Sequence, residues 1–502
     1  MAPRIHPPSE SLLVFSDVHL GSDLNDSGPS VPRSTSIDQD LAALLAHYRQ
    51  VAPPADRWRL VLAGDFVDFV GMSIDPREGD EITTEPTAAE RAFGLGGAED
   101  HVRVKLRRIV ARHPDVFREL AAFVSEGNAV TFVTGNHDLE MYWDAVQRDF
   151  CVLLTSGDAR VEDVAARVEF EPWFFYREGL AYVEHGHQYD PFCATPYLFA
   201  PLCPTDPRRV LQSLSDTLLR YIVRRTPGMK EYGHETRGLA SYISWGLMLG
   251  ARGTAGLFVR FFSAVFRLRD VARAYLSEGG ARLREEHERR LVEHARSKGL
   301  PAEQLRAALS LHVTPIGSTP RGVLASVMLD RLSVFVFMIL AFIAIAILRP
   351  WMGGYAVYAI GSLLVVWVAL HALFSRARPD VDPAALMGVR AAELAKLFPA
   401  SFIVMGHTHV PTTKPVGEAI YVNVGSWAEE EPDPKDDPAK VYRAARTHLV
   451  VHAKADRHEA HLFEWRSGEG PQSRSTLVRP RTVERPVVGA TASAWSRTAR
   501  CP

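Results

Sequence analysis

Five short stretches of this chain set side chains able to bind metal or move protons directly behind apolar runs. Asp17 and His19 follow Leu12, Leu13, Val14 and Phe15; Asp65 and Asp68 follow the run 58–63; Asn136, His137 and Asp138 follow 129–134. His185 ends the run 180–184, and His407 and His409 follow 401–405. Carboxylates, imidazoles and an amide form a mixed nitrogen and oxygen set, suited to manganese, iron or zinc rather than calcium. A pair such as His407 and His409 is by itself more often an ordinary surface pair, so the weight lies in the recurrence.

Such clusters need a scaffold that ends its strands together. The apolar runs read as buried strands by their length and β-branched content. Leu41, Leu44, Leu45 and Tyr48 share one helical face behind a capping box of Ser36 and Gln39, and Pro114 opens a helix that Gly127 closes. Segment 71–100 is long for a connection and weakly periodic, and reads as a lid or a disordered insert. Residues 419–424 and 447–465 add strands, the latter as a hairpin around Asp456 and Arg457. The tail 467–502, rich in Arg, Pro, Ser and Thr, is expected to be disordered.

Residues 191–378 separate the fourth cluster from the fifth, far more than a loop needs. Segment 208–225 reads as a basic amphipathic helix, with Val210, Leu214, Leu218, Leu219 and Ile222 on one side. In 245–268 apolar residues are interrupted by Arg252, Arg260 and Arg267, which fits a core helix of the insertion or one lying in a membrane surface. Segment 283–309 is charged and reads as a solvated helical face. Runs 332–348 and 354–374 carry no charged residue and are separated by Arg349 and Pro350, so they read as a transmembrane helical hairpin. A buried helical pair is the competing reading. Arg331, Arg376 and Arg378 on one side place both ends in the cytoplasm, and an even number of spans returns His407 and His409 to the side of Asp65 and His185.

At 502 residues, 47% hydrophobic and 23% charged, the chain has room for more than one folded unit, and disorder throughout is excluded. A net charge of -2 argues against a nucleic-acid partner. Cys151, Cys193, Cys203 and Cys501 have no CxxC spacing and read as free thiols in a reducing compartment. The stretch before residue 10 has no export signal. The expected division is a catalytic core over 1–190 and 379–466, a helical cap over 191–330 with a membrane-surface location as one reading, a hairpin over 331–378, and the tail.

Taken in order, Asp17-Val-His19, Gly64-Asp65-Phe-Val-Asp68, Gly135-Asn136-His137-Asp138, His185 and Gly406-His407-Thr-His409 closely resemble the pattern of the calcineurin-like metallophosphoesterase family. The resemblance implies an α/β fold, a four-layer αββα sandwich carrying two divalent metal ions, manganese first, with iron or zinc as alternatives. It implies that Asp17, His19, Asp65 and His409 hold one ion and that Asp65, Asn136, His185 and His407 hold the other. His137 then protonates the leaving oxygen, Asp138 orients it, Asp68 lies behind the ligands, and His187 is a spare ligand or a neighbour. Two ions about 3.5–4 Å apart generate hydroxide at neutral pH and stabilise an in-line transition state. Within the family, His185-Gly-His-Gln-Tyr-Asp190, the helical insertion and Gly425-Ser426-Trp427 are similar to the UDP-2,3-diacylglucosamine hydrolases, which cleave a lipid-linked pyrophosphate; His137 stands where that branch has arginine. The reading is therefore a phosphoesterase at the cytoplasmic membrane, facing the cytoplasm and acting on a phosphoester or pyrophosphate, with a lipid-linked substrate motivated by the hairpin. The alternatives are a tethered phosphoprotein or nucleotide phosphatase and a non-catalytic metal-binding membrane scaffold.

Overall fold

Strand β1 (Glu10–Phe15) is buried along its whole length, and its alternate residues enter two different cores. Leu13 and Phe15 pack under helices, whereas Leu12 and Val14 face a second sheet. A strand apolar on both faces has to be covered on both, which produces stacked layers. The computed structural model describes residues 9–26, 33, 35–155, 160–226, 239–318, 329–376, 382–428 and 446–480. It is a mixed α/β fold with two facing sheets.

The further strands are β2 (Arg57–Ala63), β3 (Ala129–Val133), β4 (Val168–Glu171), β5 (Phe174–Arg177), β6 (Gly179–Glu184), β7 (Leu202–Cys203) and β8 (Asp206–Val210). They are followed by β9 (Ala400–Met405), β10 (Thr412–Val416), β11 (Ala419–Asn423), β12 (Thr447–Ala453), β13 (Arg457–Arg466) and β14 (Gly470–Pro480). One sheet runs β14-β13-β12-β1-β2-β3-β4 and the other β10-β11-β9-β6-β5. β1 to β4 are parallel, as are β6, β9 and β11, so the C-terminal ends of each set share one edge. Val14, Val61 and Val133 meet Val183, Phe402, Val404 and Val422 between the sheets. Each such side chain contributes roughly 1.5–3 kcal/mol by burial. Outside the first sheet lie helices Thr35–Gln50, Glu99–Arg112 and Pro114–Ser125; outside the second lie Pro383–Leu397, Glu278–Ser297 and Ala302–Leu309. The charged segment 283–309 is helical with one face solvated, and its other face, Leu291, Ala295, Leu305 and Ala308, is buried on the second sheet.

Glu10 ties the two sheets at their far edge. It is 6% exposed and pairs with Arg57 and Arg59 of β2, at 2.5 and 2.6 Å, and with Arg177 of β5. Burial pushes its carboxyl up, but the three guanidinium groups, Arg59 first, outweigh burial and hold it at about 2 against an ordinary 4.5. A carboxyl depressed on folding stabilises above its unfolded pKa and loses that stabilisation as pH falls through the folded one. Urea titrations between pH 5 and pH 2 should therefore show an acid loss, on the order of 3 kcal/mol of it from Glu10, that Glu10→Gln removes. An identical pH slope in that variant would refute the assignment.

Four expectations change. The tail is not disordered from 467: Gly470–Pro480 forms β14, paired antiparallel with β13. Backbone pairing needs no apolar side chains, so composition hides it. Residues 481–502 lie outside the described residues. Segment 71–100 is held at two buried stretches, 71–74 and 94–98, with more exposed residues between them and helix Ala88–Phe93 opened by a capping box of Thr87 and Glu90. The basic helix expected over 208–225 is instead β8, helix Leu214–Tyr221 and the 3-10 turn Val223–Arg225. Its arginines are basic for an internal reason: Arg220 donates to the carbonyls of Met72, Gly94 and Leu95, and Arg209 pairs with Glu90 at 2.9 Å. Helix Leu239–Ala274, kinked at Gly250, buries Ala264, Val265, Leu268 and Ala272, as a core helix of the insertion does.

The fourth change concerns 331–378. Helices Leu329–Met352 and Tyr355–Arg376 pack on each other as a hairpin about Gly353, with Phe337, Leu340, Trp351, Tyr358 and Val365 exposed. Among the described residues, however, no helix is long and apolar enough to cross a membrane, so the expected transmembrane spans are not found.

Candidate metal centre

The five clusters sit just past the C-terminal ends of β1, β2, β3, β6 and β9. Among the described residues six that are not glycine have positive φ: Asp17 (56°), His19 (53°), Asp65 (54°), His407 (67°), His409 (60°) and Arg446 (36°). Five of the six belong to the clusters. A left-handed residue other than glycine costs about 1–2 kcal/mol, so backbone strain is concentrated where the side chains converge. Local hydrogen bonds hold it. The carbonyl of Asp17 accepts from Trp427 and Ala428 N–H, both at 2.9 Å, and that of Asp65 accepts from Val18 and His19 N–H, also at 2.9 Å.

The carboxylates form the middle of the site. Asp17 Oδ1 lies 3.1 Å from His409 Nε2 and 4.0 Å from His19 Nε2. Asp65 Oδ2 lies 3.2 Å from His185 Nε2 and 3.8 Å from His19 Nε2, and its Oδ1 accepts the His137 backbone N–H at 2.8 Å. His185 Nε2 is also 3.2 Å from Asn136 Oδ1, while its Nδ1 meets the Ala63 carbonyl at 3.0 Å. A carbonyl only accepts, so Nδ1 carries a proton and the Nε2 lone pair of the neutral ring is left for a cation.

These residues fit divalent metal. Asp17, His19 and His409 present ligand atoms within 4.8 Å of one another, and so do Asp17, Asp65 and His185. His19 Nε2 is buried without a hydrogen-bond partner among the described residues. Burial raises Asp17 and Asp65, but neighbouring imidazoles outweigh it, His409 then His185 at Asp17 and His185 first at Asp65, leaving Asp17 at about 2 and Asp65 well below its usual range. Burial lowers His185, yet Asp65 and Asp17 push it up to about 9. Two buried carboxylates thus recruit positive charge from whatever is near, which is the demand a bound cation meets. His19 is pushed down to about 3 by burial and then by His137, and keeps a free lone pair.

Two residues stand elsewhere than expected. His407 joins the site through its backbone N–H, which donates to Asp17 Oδ2 at 3.0 Å, whereas its ring lies 3.2 Å from Asp190 Oδ2 in a group with Cys193. Asp138 does not orient His137: it accepts the backbone N–H groups of Gly135 at 2.6 Å and Phe66 at 2.8 Å, clamping the second and third loops. The partner of His137 Nδ1 is Asp68, at 2.8 Å, because the loop after β2 carries Asp68 past Asp65 toward the third loop. His187 is buried beside His185, its Nδ1 unpartnered among the described residues and its Nε2 3.0 Å from Gln188.

Sequence reasoning did not single out Asp190 as a partner of His407, although it stands five residues after His185. It also missed two groups from the insertion. Asp216, 2% exposed on helix Leu214–Tyr221, interacts electrostatically with His137, and Arg224 pairs with Asp68. Neither lies in a recognisable pattern.

No family model and no curated protein matches the chain. Among solved structures it is similar to Vps29 of Entamoeba histolytica, at 17% identity and TM-score 0.14 over 18% of this chain and 46% of that one. A similar likeness links it to Vps29 of Chaetomium thermophilum, at 12% and 0.15 over 22% and 53%. The chain therefore spans about half the length of those two chains. It is also similar to phosphopantetheinyl hydrolase of Mycobacterium tuberculosis, at 12% and 0.23 over 86% of this chain and 98% of that one. Likenesses this distant carry no argument about substrate or activity, so the chemistry rests on the geometry of the site.

Proposed function

We propose that the chain is a dinuclear metal-dependent phosphoesterase. The observation that carries the reading is the gathering of Asp17, His19, Asp65, Asn136, His185 and His409 at one edge of two sheets, with strained backbone at Asp17, His19, Asp65 and His409 and, among the described residues, a buried His19 Nε2 without a hydrogen-bond partner. Asp17, His19 and His409 would hold one cation, Asp65, Asn136 and His185 the other, with Asp65 shared. Cations bound there supply Lewis-acid stabilisation of phosphoryl charge and activate water as the nucleophile. His137 holds the proton for the leaving oxygen, and Asp68 fixes its ring by accepting from Nδ1, leaving Nε2 toward the reaction. Asp138 keeps the second and third loops in register.

The substrate class proposed is a phosphoester or pyrophosphate near a cytoplasmic membrane surface, lipid-linked in the sharper version that the partial likeness to UDP-2,3-diacylglucosamine hydrolases motivates. It is supported by the exposed apolar side chains of the hairpin, Trp351, Tyr355 and Tyr358 among them. The full chain should sediment with phosphatidylglycerol vesicles and a variant lacking 329–376 should not; equal partition of the two would remove this part. One observation favours a non-catalytic metal scaffold instead: the His407 ring faces Asp190 and leaves the second ion with fewer side chains.

The test is metal analysis of the purified chain together with a phosphoester screen in manganese. Chelation should lower turnover at least about 100-fold and re-addition should restore it. Chelation should also lower Tm, since a cation at 1,000 times its Kd stabilises by about 4 kcal/mol. Stoichiometric metal without turnover on any ester would favour the scaffold.

A further inference from the structure

The junction between the insertion and the site contains an arrangement the proposed chemistry has not used. The Arg224 guanidinium enters from the 3-10 turn Val223–Arg225, with Nη2 3.6 Å from Asp68 Oδ2 and side chains only 3% and 1% exposed. Its Nη1 donates to the carbonyl of Ser22 at 2.9 Å, three residues beyond His19. The other Asp68 oxygen, Oδ1, receives His137 Nδ1 at 2.8 Å and Gly71 N–H at 2.6 Å. A Cβ at position 71 would run into both Asp68 and Arg224, so the glycine is what lets the pair close. At this burial Arg224 does not reach substrate.

We propose that Arg224 is a positioning residue for the Asp68–His137 pair, so that seating the insertion completes the proton donor. The inference rests on the phosphoesterase reading. The bland alternative is a buried ion pair that only helps the insertion dock. Docking, however, has other holds: Arg220 donates to Met72, Gly94 and Leu95, Arg225 donates to Ser73 and Ala92, and Arg209 pairs with Glu90. Of these four arginines Arg224 alone is paired, among the described contacts, with a carboxylate that holds a site residue. Fixing both Asp68 oxygens fixes the plane of its carboxylate, and with it the direction of His137 Nε2. In the step concerned, water oxygen bonds to phosphorus as the bond to the leaving oxygen breaks. That oxygen keeps the bonding electron pair and takes the His137 proton, water releases one proton to solvent, and His137 is reprotonated from solvent.

A misaimed donor hurts poor leaving groups most, because an acidic phenol leaves without a proton. The experiment is kcat across aryl and alkyl phosphodiesters of graded leaving-group acidity, with the full chain in manganese. Arg224→Gln should lower kcat about 10-fold or more for an alkyl ester and by a factor of about 2 for 4-nitrophenyl, with metal content unchanged. Arg224→Lys should recover part of the difference, and Arg224→Gln should add little in a His137→Ala background. Arg220→Gln, which loosens docking alone, should leave the leaving-group slope flat. Equal losses on every ester, additivity with His137→Ala, or a slope change in Arg220→Gln that matches Arg224→Gln would overturn the inference. Should Arg224→Gln fail to fold, the Arg224→Lys slope decides by the same criterion. Absence of turnover in the parent chain would sink the phosphoesterase reading and this inference together, whereas a flat slope beside an active parent sinks the inference alone.

Discussion

Asp65→Asn should reduce phosphoester turnover by roughly 10³-fold or more while leaving the protein folded. The substitution keeps the volume of the side chain, and an amide oxygen can still accept the His137 N–H that now meets Oδ1 at 2.8 Å. What changes is the other atom. Oδ2 faces His185 Nε2 at 3.2 Å and His19 Nε2 at 3.8 Å, and an amide nitrogen there presents hydrogens where cations would sit. The fully buried charge that two ligand groups share also disappears. Metal analysis should show fewer than two ions per chain, and circular dichroism should be unaltered. Asp68→Asn should behave differently, retaining metal and losing activity through His137. If Asp65→Asn retains both metal and turnover, Asp65 is not the shared ligand and the assignment of the centre is wrong.

Much of the site was legible because its signals are local. An apolar run, a glycine and a short polar group recur after β2, β3 and β9, and the unbroken burial of these strands and of β1 follows from side chains alternating between two covered faces. What was not legible depends on distant partners. Asp68 and Asp138 both stood near His137 as sequence neighbours of metal-capable residues, and only the approach of the loops decided that Asp68 takes Nδ1 while Asp138 takes backbone N–H groups. Arg220, read as part of a basic amphipathic helix, gave no sign of its partners because they are the main-chain carbonyls of Met72, Gly94 and Leu95, which carry no sequence signature. β14 was hidden for a related reason, since the ladder to β13 uses groups every residue has. His407 follows the same rule: its type was informative, but its ring direction depends on Asp190.

Gly64→Ala should be among the most damaging single-methyl changes in the chain, and in two separable ways. Gly64 has φ of 87°, which alanine adopts at a cost of about 1–2 kcal/mol. The added Cβ would also meet the His185 ring at Nδ1, Cγ and Cβ, all inside contact distance. The ring has little room to withdraw: it is fully buried, its Nδ1 is bonded to the Ala63 carbonyl at 3.0 Å, and its Nε2 lies between Asp65 and Asn136. Overpacking of this kind costs about 1–3 kcal/mol, so urea denaturation should give a total loss of about 2–5 kcal/mol. Gly127→Ala supplies the comparison, because Gly127 has φ of 96° with nothing within 4 Å of the added carbon. It should lose only the backbone part and keep full metal content. The excess loss in Gly64→Ala should appear together with a drop in bound metal, since the carbon that destabilises the chain is the one that turns the His185 lone pair away. Equal destabilisation of the two variants, or full metal occupancy in Gly64→Ala, would mean that His185 can yield without leaving the site and is not held as a ligand.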